Sequence, residues 1–153
     1  YYKNKGKTVD EVLEEIYLNY GYFKESQKSI EATGKEGLEK IKNFMEKLRK
    51  APLKNTKSFK LVFIYDVKNK KAFDFEKNCE LEPLDLPVSD VVIMNFTDNC
   101  SIIARPSGTE PKIKFYFSTS GKIKDGESLK ELKQRIENLH AILRNEFLEN
   151  LIL

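Results

Sequence analysis

The strongest constraint on the fold is a run of strand-like segments late in the chain. Val91–Thr97 and Cys100–Arg105 are rich in apolar residues and are separated only by the pair Asp98–Asn99. Asp and Asn tolerate the positive φ values that a two-residue hairpin turn requires. A third segment, Ile113–Ser118, alternates apolar side chains with lysine and tyrosine, as a strand with two different faces does. The sequence therefore predicts consecutive antiparallel strands, with a proline-bounded loop before the last one.

That loop carries groups suited to a phosphate dianion. It reads Arg-Pro-Ser-Gly-Thr-Glu-Pro-Lys-Ile-Lys, and its two prolines stiffen it at both ends. The arginine offers a bidentate, charge-assisted pair that a lysine cannot copy. The glycine permits a positive φ, so that neighbouring N–H groups converge on an anion. The candidate phosphate-binding residues are Arg105, Ser107, Gly108, Thr109 and Lys114.

A plain turn explains the same composition, because Pro-Ser-Gly-Thr joining two strands is ordinary loop chemistry. Ser107 has no histidine or base lysine in a recognisable arrangement beside it, so it is not predicted to be a nucleophile. Glu110 would repel a bound phosphate, and we expect it to point away and orient Arg105 or Lys114. No general acid or base is assigned.

The loop resembles the phosphate-binding loop in the C-terminal domain of the α-D-phosphohexomutases, the family of phosphoglucomutases and phosphomannomutases. The continuation Lys114-Phe115-Tyr116-Phe117-Ser118 is similar to that family, as are Gly21-Tyr22-Phe23 and Gly34-Lys35-Glu36-Gly37 upstream. The resemblance runs from about Thr8 to the end of the chain. It implies that residues 1–20 form a helix from the end of a third domain and that residues 21–153 form the C-terminal phosphate-binding domain.

The same resemblance implies a function. Enzymes of this family interconvert hexose 1-phosphate and hexose 6-phosphate, and their C-terminal domain is a mobile lid that grips the phosphate that is not transferred. Their phosphoserine loop, their Asp-x-Asp-x-Asp magnesium loop and their sugar-binding loop do not occur in these 153 residues. The chain is therefore expected to be a C-terminal fragment without cofactor or activity of its own. Its expected partners are a phosphorylated hexose and the N-terminal domains of the same protein, which would hold magnesium.

Two helices are predicted to begin with capping boxes, Thr8 with Glu11 and Thr33 with Glu36. The first helix presents an apolar stripe that has no evident partner, and Gly21 ends it. The second is predicted to bury Leu38, Ile41, Met45 and Leu48. A third helix is expected from near residue 127 to about residue 147, with apolar residues at three- and four-residue intervals.

Further strands are predicted at 22–30, 59–66 and 70–75, whereas 76–90 has no clear period and is predicted to be a loop. The expected fold is α+β: an antiparallel sheet of four to five strands, helices packed on one of its faces, and one extra N-terminal helix.

Charge and composition limit which partners and functions the chain is expected to have. The net charge is +3, and the lysines lie mainly in the first half, which is a weak reason to consider nucleic-acid binding. Because glutamates are interspersed and no aromatic stacking motif accompanies them, solvated helix faces are favoured, and neither nucleic acid nor a membrane is an expected partner.

Cys79 and Cys100 form no disulfide or zinc pattern, which favours the cytoplasm, and the single His140 is expected to be structural. The alternative to the mutase is an autonomous, non-catalytic module that binds phosphorylated ligands.

Overall fold

The computed structural model describes residues 6–34 and 36–151. Residues 1–5 of the predicted N-terminal segment and Lys35 of the Gly34–Gly37 segment lie outside this description. The described residues form three helices and seven strands, in the order α1 (Val9–Tyr20), β1 (Tyr22–Glu31), α2 (Gly37–Lys50), β2 (Leu61–Asp66), β3 (Lys71–Asp74), β4 (Cys79–Leu81), β5 (Val92–Phe96), β6 (Cys100–Pro106), β7 (Lys112–Gly121) and α3 (Leu129–Glu149).

The strands form one antiparallel sheet in the order β1-β7-β6-β5-β2-β3-β4. The α+β class is confirmed, but the predicted count of four to five strands is too low. The segment predicted to be a loop contains β4, which has only three residues and pairs with β3 after Asn78 takes a positive φ of 52°. Such a short edge strand depends on its neighbour for hydrogen bonds and leaves no periodic signal in the sequence.

The core lies on one face of the sheet, where α2 and α3 pack. Alternate residues of β5, β6 and β7 point into it: Val92, Met94, Phe96, Cys100, Ile102, Ala104, Ile113, Phe115 and Phe117. They meet Ile41, Met45 and Leu48 from α2 and Leu143 and Phe147 from α3. The ring of Phe115 contacts Phe147 edge to face, with 5.2 Å between ring centroids. The predicted packing of helices on one face is thus confirmed, and the opposite face stays open along β6 and β7.

Helix α1 has the predicted capping box. The N–H of Glu11 donates to Oγ1 of Thr8 at 3.2 Å, and the N–H of Thr8 donates to Oε2 of Glu11 at 2.7 Å. The helix ends before Gly21, whose φ is +99°. No residue of α1 is buried, and Val9 and Tyr20 are 83% and 70% exposed. The apolar stripe of α1 is therefore only partly covered in the described chain, where the ring of Tyr17 contacts that of Tyr22, with 5.0 Å between ring centroids.

The predicted capping box of α2 is wrong. Glu36 occupies the N-cap position and no side chain caps the helix there. Gly34 turns the chain with a φ of +95°, so the helix begins at Gly37, beyond the reach of Thr33. Leu38 was predicted to be buried and is 54% exposed; in the first turn of α2 the buried residue is Gly37 instead.

Helix α3 begins at Leu129, two residues later than predicted, behind a capping box formed by Ser128 and Glu131. Oγ of Ser128 accepts from the N–H of Glu131 at 3.3 Å, and the Glu131 carboxylate accepts from the N–H of Ser128 at 2.8 Å. Farther along, the buried ring of His140 lies between two hydroxyls: Nε2 is 2.7 Å from Oγ of Ser26, and Nδ1 is 3.3 Å from Oγ1 of Thr119. His140 is thus a core residue that links α3 to β1 and β7.

The end of α2 is fixed by a buried arginine. The side chain of Arg49 is 5% exposed, and its Nε donates to Oδ1 of Asp66 at 3.0 Å. Its other nitrogens bind the carboxylates of Glu46 and Asp90. Asp66 is 12% exposed, whereas the side chains of Glu46 and Asp90 are each 41% exposed. This cluster ties α2 to the end of β2 and to the segment before β5.

Candidate phosphate-binding site

The predicted phosphate loop connects β6 to β7 at one end of the sheet. Arg105 pairs with Lys114, and Pro106 pairs with Ile113, so residues 107–111 form the connection. The N–H of Ser107 donates to the carbonyl of Lys112 at 2.9 Å and closes the loop. Because two neighbouring strands hold its ends, the loop is presented on a rigid support.

At the tip of the loop, two N–H groups are free to bind an anion, which is fewer donors than the sequence predicts. The N–H of Ser107 is engaged in closing the loop, and its Oγ accepts from the N–H of Glu110 at 3.3 Å. Within residues 6–34 and 36–151, the N–H groups of Gly108 and Thr109 have no acceptor. They are exposed and available to a ligand.

Gly108 departs from its predicted role. We expected a positive φ at this residue, but its φ lies outside that region, unlike that of Gly21 or Gly34. A Cβ added at Gly108 would meet no atom within 4 Å. The loop itself therefore does not require glycine here, and the space above its backbone is open.

A cleft of about 250 Å³ opens beside the loop. Four of the five predicted residues line it, namely Arg105, Ser107, Gly108 and Lys114, and Thr109 does not. The structure adds Glu110, Lys112 and Tyr116 to the lining. The period of two along β7 contains the signal for Lys112 and Tyr116, since both share a face with Lys114.

Electrostatics favour an anion in this cleft. The carboxylate of Glu110 pairs with Lys112, with 2.5 Å between Oε2 and Nζ, so the expectation that it orients Arg105 or Lys114 is wrong. The hydrogen bond from Lys112, aided by the charges of Lys112 and Lys114, lowers the pKa of Glu110. Arg105 and Lys114 have no ion pair within the described part of the chain, so two cations remain uncompensated at the cleft.

The residues that line the cleft include no histidine, cysteine or aspartate. Across the described residues, no group of three His, Cys, Asp or Glu side chains could hold a metal ion. Cys79 is exposed, Cys100 is buried and both thiols are free. None of the described helices is both long and apolar enough to span a bilayer. What the cleft can do is bind an anion through a guanidinium, an ammonium and backbone amides.

Comparison with known proteins gives a consistent set of relatives. Over 116 residues the chain is 36% identical to a phosphoglucomutase of Staphylococcus haemolyticus, which covers 76% of this chain and 21% of that protein. Over 140 residues it is 34% identical to a phosphoglucomutase of Staphylococcus saprophyticus, with 89% and 24% covered. No family model matches the chain.

Among solved structures, the open form of the Paramecium exocytosis-sensitive phosphoprotein parafusin, a phosphoglucomutase, aligns with 94% of this chain and 24% of its own. The TM-score is 0.47 and the sequence identity is 19%. The chain spans about one fifth of the length of the curated relatives it matches. By sequence, then, this chain is a relative of the phosphoglucomutases, within the α-D-phosphohexomutase family.

Proposed function

We propose that this chain is the C-terminal domain of a phosphohexomutase and that it binds the phosphate of the sugar that is not transferred. The observation that carries this proposal is the cleft beside the loop that connects β6 to β7. Among the described residues, Arg105 and Lys114 at this cleft have no ion pair, and the N–H groups of Gly108 and Thr109 at the tip of the loop have no acceptor. The relationship to phosphoglucomutases supplies the hexose phosphate as the ligand class.

In this proposal the guanidinium of Arg105 binds two phosphate oxygens and Lys114 neutralises the remaining charge. The N–H groups of Gly108 and Thr109 donate to a further oxygen, and the hydroxyl of Ser107 lies beside them. The loop binds the phosphate remote from the reacting end, so its binding energy orients that end for phosphoryl transfer. Closure of the domain over the sugar would exclude water.

The remaining chemistry is assigned to other parts of the full-length protein. A phosphoserine transfers the phosphoryl group there, and magnesium belongs to that centre, since this chain offers no fitting carboxylate cluster among its described residues. We assign α1, with its exposed apolar stripe, to the preceding third domain and residues 21–153 to the fourth. The two free thiols support a cytoplasmic location.

The proposal is tested by titrating the isotope-labelled 153-residue chain with inorganic phosphate and following its amide resonances. We expect saturable shifts centred on Gly108 and Thr109 and on the ends of β6 and β7. The lysine-rich surface of α2 serves as the internal control and should not shift. Shifts spread over α2, or none at the loop, would refute the phosphate assignment.

A second test addresses the parent enzyme. The reading frame upstream of Tyr1 should encode the phosphoserine and magnesium loops, and the complete protein should convert glucose 1-phosphate to glucose 6-phosphate. A complete protein without those loops would instead support the autonomous binding module.

A further inference from the structure

A second cleft lies on the open face of the sheet, directly beside the phosphate cleft. It has a volume of about 420 Å³. The side chains that line it come mainly from three neighbouring strands: Glu25 and Gln27 from β1, Ser101 and Ile103 from β6, and Tyr116 and Ser118 from β7. We call this second cleft the sheet groove.

Tyr116 joins the two clefts, because it lines both of them. The register explains this position. Arg105 is paired with Lys114, Ile103 with Tyr116, and Ser101 with Ser118, so three successive cross-strand pairs run away from the loop. Same-face neighbours on a strand are about 6.6 Å apart. A group attached to a phosphate at the first pair would therefore lie over the second.

The chemistry of the sheet groove differs from that of the phosphate cleft. No lysine or arginine is among its lining residues, so it has no counter-charge for a second phosphate. It combines an aromatic ring and an isoleucine with two serine hydroxyls, an amide and a carboxylate. Such a mixture of apolar floor and separated hydrogen-bonding groups suits an uncharged skeleton that bears hydroxyls.

We propose that the sheet groove holds the carbon skeleton of the phosphorylated ligand, with a sugar or polyol packed on Tyr116 and its hydroxyls bound by the surrounding polar side chains. This inference rests on the proposed function, because the phosphate cleft must first anchor the ligand. It assigns Tyr116 a role in distinguishing phosphorylated sugars from small phosphate esters, which the phosphate loop by itself cannot do.

The test compares two ligands of equal charge, methyl phosphate and glucose 1-phosphate, by titrating the 153-residue chain. Packing a sugar ring on Tyr116 should make glucose 1-phosphate bind about fivefold more tightly. Tyr116→Ala should lower the affinity for glucose 1-phosphate about fivefold more than the affinity for methyl phosphate, so that the preference is lost. Tyr116→Phe should retain most of the preference, because the ring is kept. Tyr65→Ala is the matched control: Tyr65 lies in β2, where it pairs with Ile93, and lines neither cleft.

The outcomes separate this inference from the proposed function. If methyl phosphate binds at the loop but glucose 1-phosphate binds no more tightly, the sheet groove assignment is wrong and the phosphate site stands. If Tyr116→Ala weakens both ligands equally while its circular dichroism remains normal, Tyr116 belongs to the phosphate cleft alone and the inference also fails. If neither ligand binds, the phosphate assignment falls, and the inference falls with it.

Discussion

Replacing Arg105 by alanine separates a phosphate clamp from a plain turn. Arg105 is exposed and has no ion pair among the described residues, so its removal takes little from the folded chain. Surface substitutions of this kind change the free energy of unfolding by about 0.5 kcal/mol or less. A hydrogen bond to a charged group, in contrast, contributes about 1.5–3 kcal/mol to binding.

At about 1.4 kcal/mol per tenfold change, that contribution corresponds to a loss of roughly ten- to a hundredfold. We expect the Arg105→Ala variant of the full-length enzyme to lose this much in kcat/KM, and the isolated chain to lose it in affinity for phosphate. The loss for Arg105→Lys should be smaller than that for Arg105→Ala, since an ammonium keeps the charge but not the bidentate geometry. Ser107→Ala should cost less than Arg105→Ala, and Thr109→Ala least, because Thr109 does not line the cleft.

The control is Arg135→Ala. Arg135 lies in α3, where it is ion-paired with Glu127. It lines neither cleft. Kinetics are measured by coupling glucose 6-phosphate formation to a dehydrogenase, and stability by urea unfolding. Parental kcat/KM in the Arg105→Ala enzyme would refute the clamp, as would a loss that Arg135→Ala reproduces.

Three further predictions concern activity and stability. The isolated chain should not convert glucose 1-phosphate, and magnesium should not raise its Tm beyond the effect of ionic strength; protein-dependent turnover in a coupled assay would contradict this. Arg49→Met should cost about 3–5 kcal/mol of unfolding free energy because it leaves Asp66 buried without its cation, and adding Asp66→Asn should recover part of that loss in a urea-unfolding double-mutant cycle. Burial, with Lys24 nearby, lowers the pKa of His140, so the folded state favours the neutral ring; the associated stability is complete above about pH 6.5 and declines as the pH falls below it. Urea unfolding between pH 7.5 and 5.0 should show this decline, and an equally steep decline in His140→Gln would assign it to other groups.

The parts of the fold that the sequence predicts are those set by local chemistry. The pair Asp98–Asn99 takes φ values of +58° and +52°, as a two-residue hairpin turn demands. The alternation along β7 places Phe115 in the core and Tyr116 on the open face, in agreement with the pattern. Each of these features depends on a few adjacent residues, so their sequence carries the information.

The features that were wrong or missed depend on residues far apart in the chain. Strand β4 exists because β3 offers it a free edge. The predicted cap of α2 was wrong, and the segment that leads to this helix is held by a long-range hydrogen bond from the N–H of Ala32 to the carbonyl of Pro111, at 2.8 Å. The pairing of Glu110 with Lys112, and the absence of a positive φ at Gly108, likewise depend on how the loop closes between β6 and β7. No local pattern contains such long-range pairings.

The position of β1 in the sheet has a consequence for how the chain folds. Tyr22 pairs with Gly121 and Glu31 with Lys112, so β1 joins the sheet only through the last strand in sequence. The β5–β6–β7 meander closes through short connections, whereas β1 must wait for a partner made at the far end of the chain. On a ribosome, β1 would emerge before the other strands of this sheet and remain unpaired until β7 has followed. We therefore expect its amides to gain protection last in pulse-labelled hydrogen exchange, after those of β5 and β6.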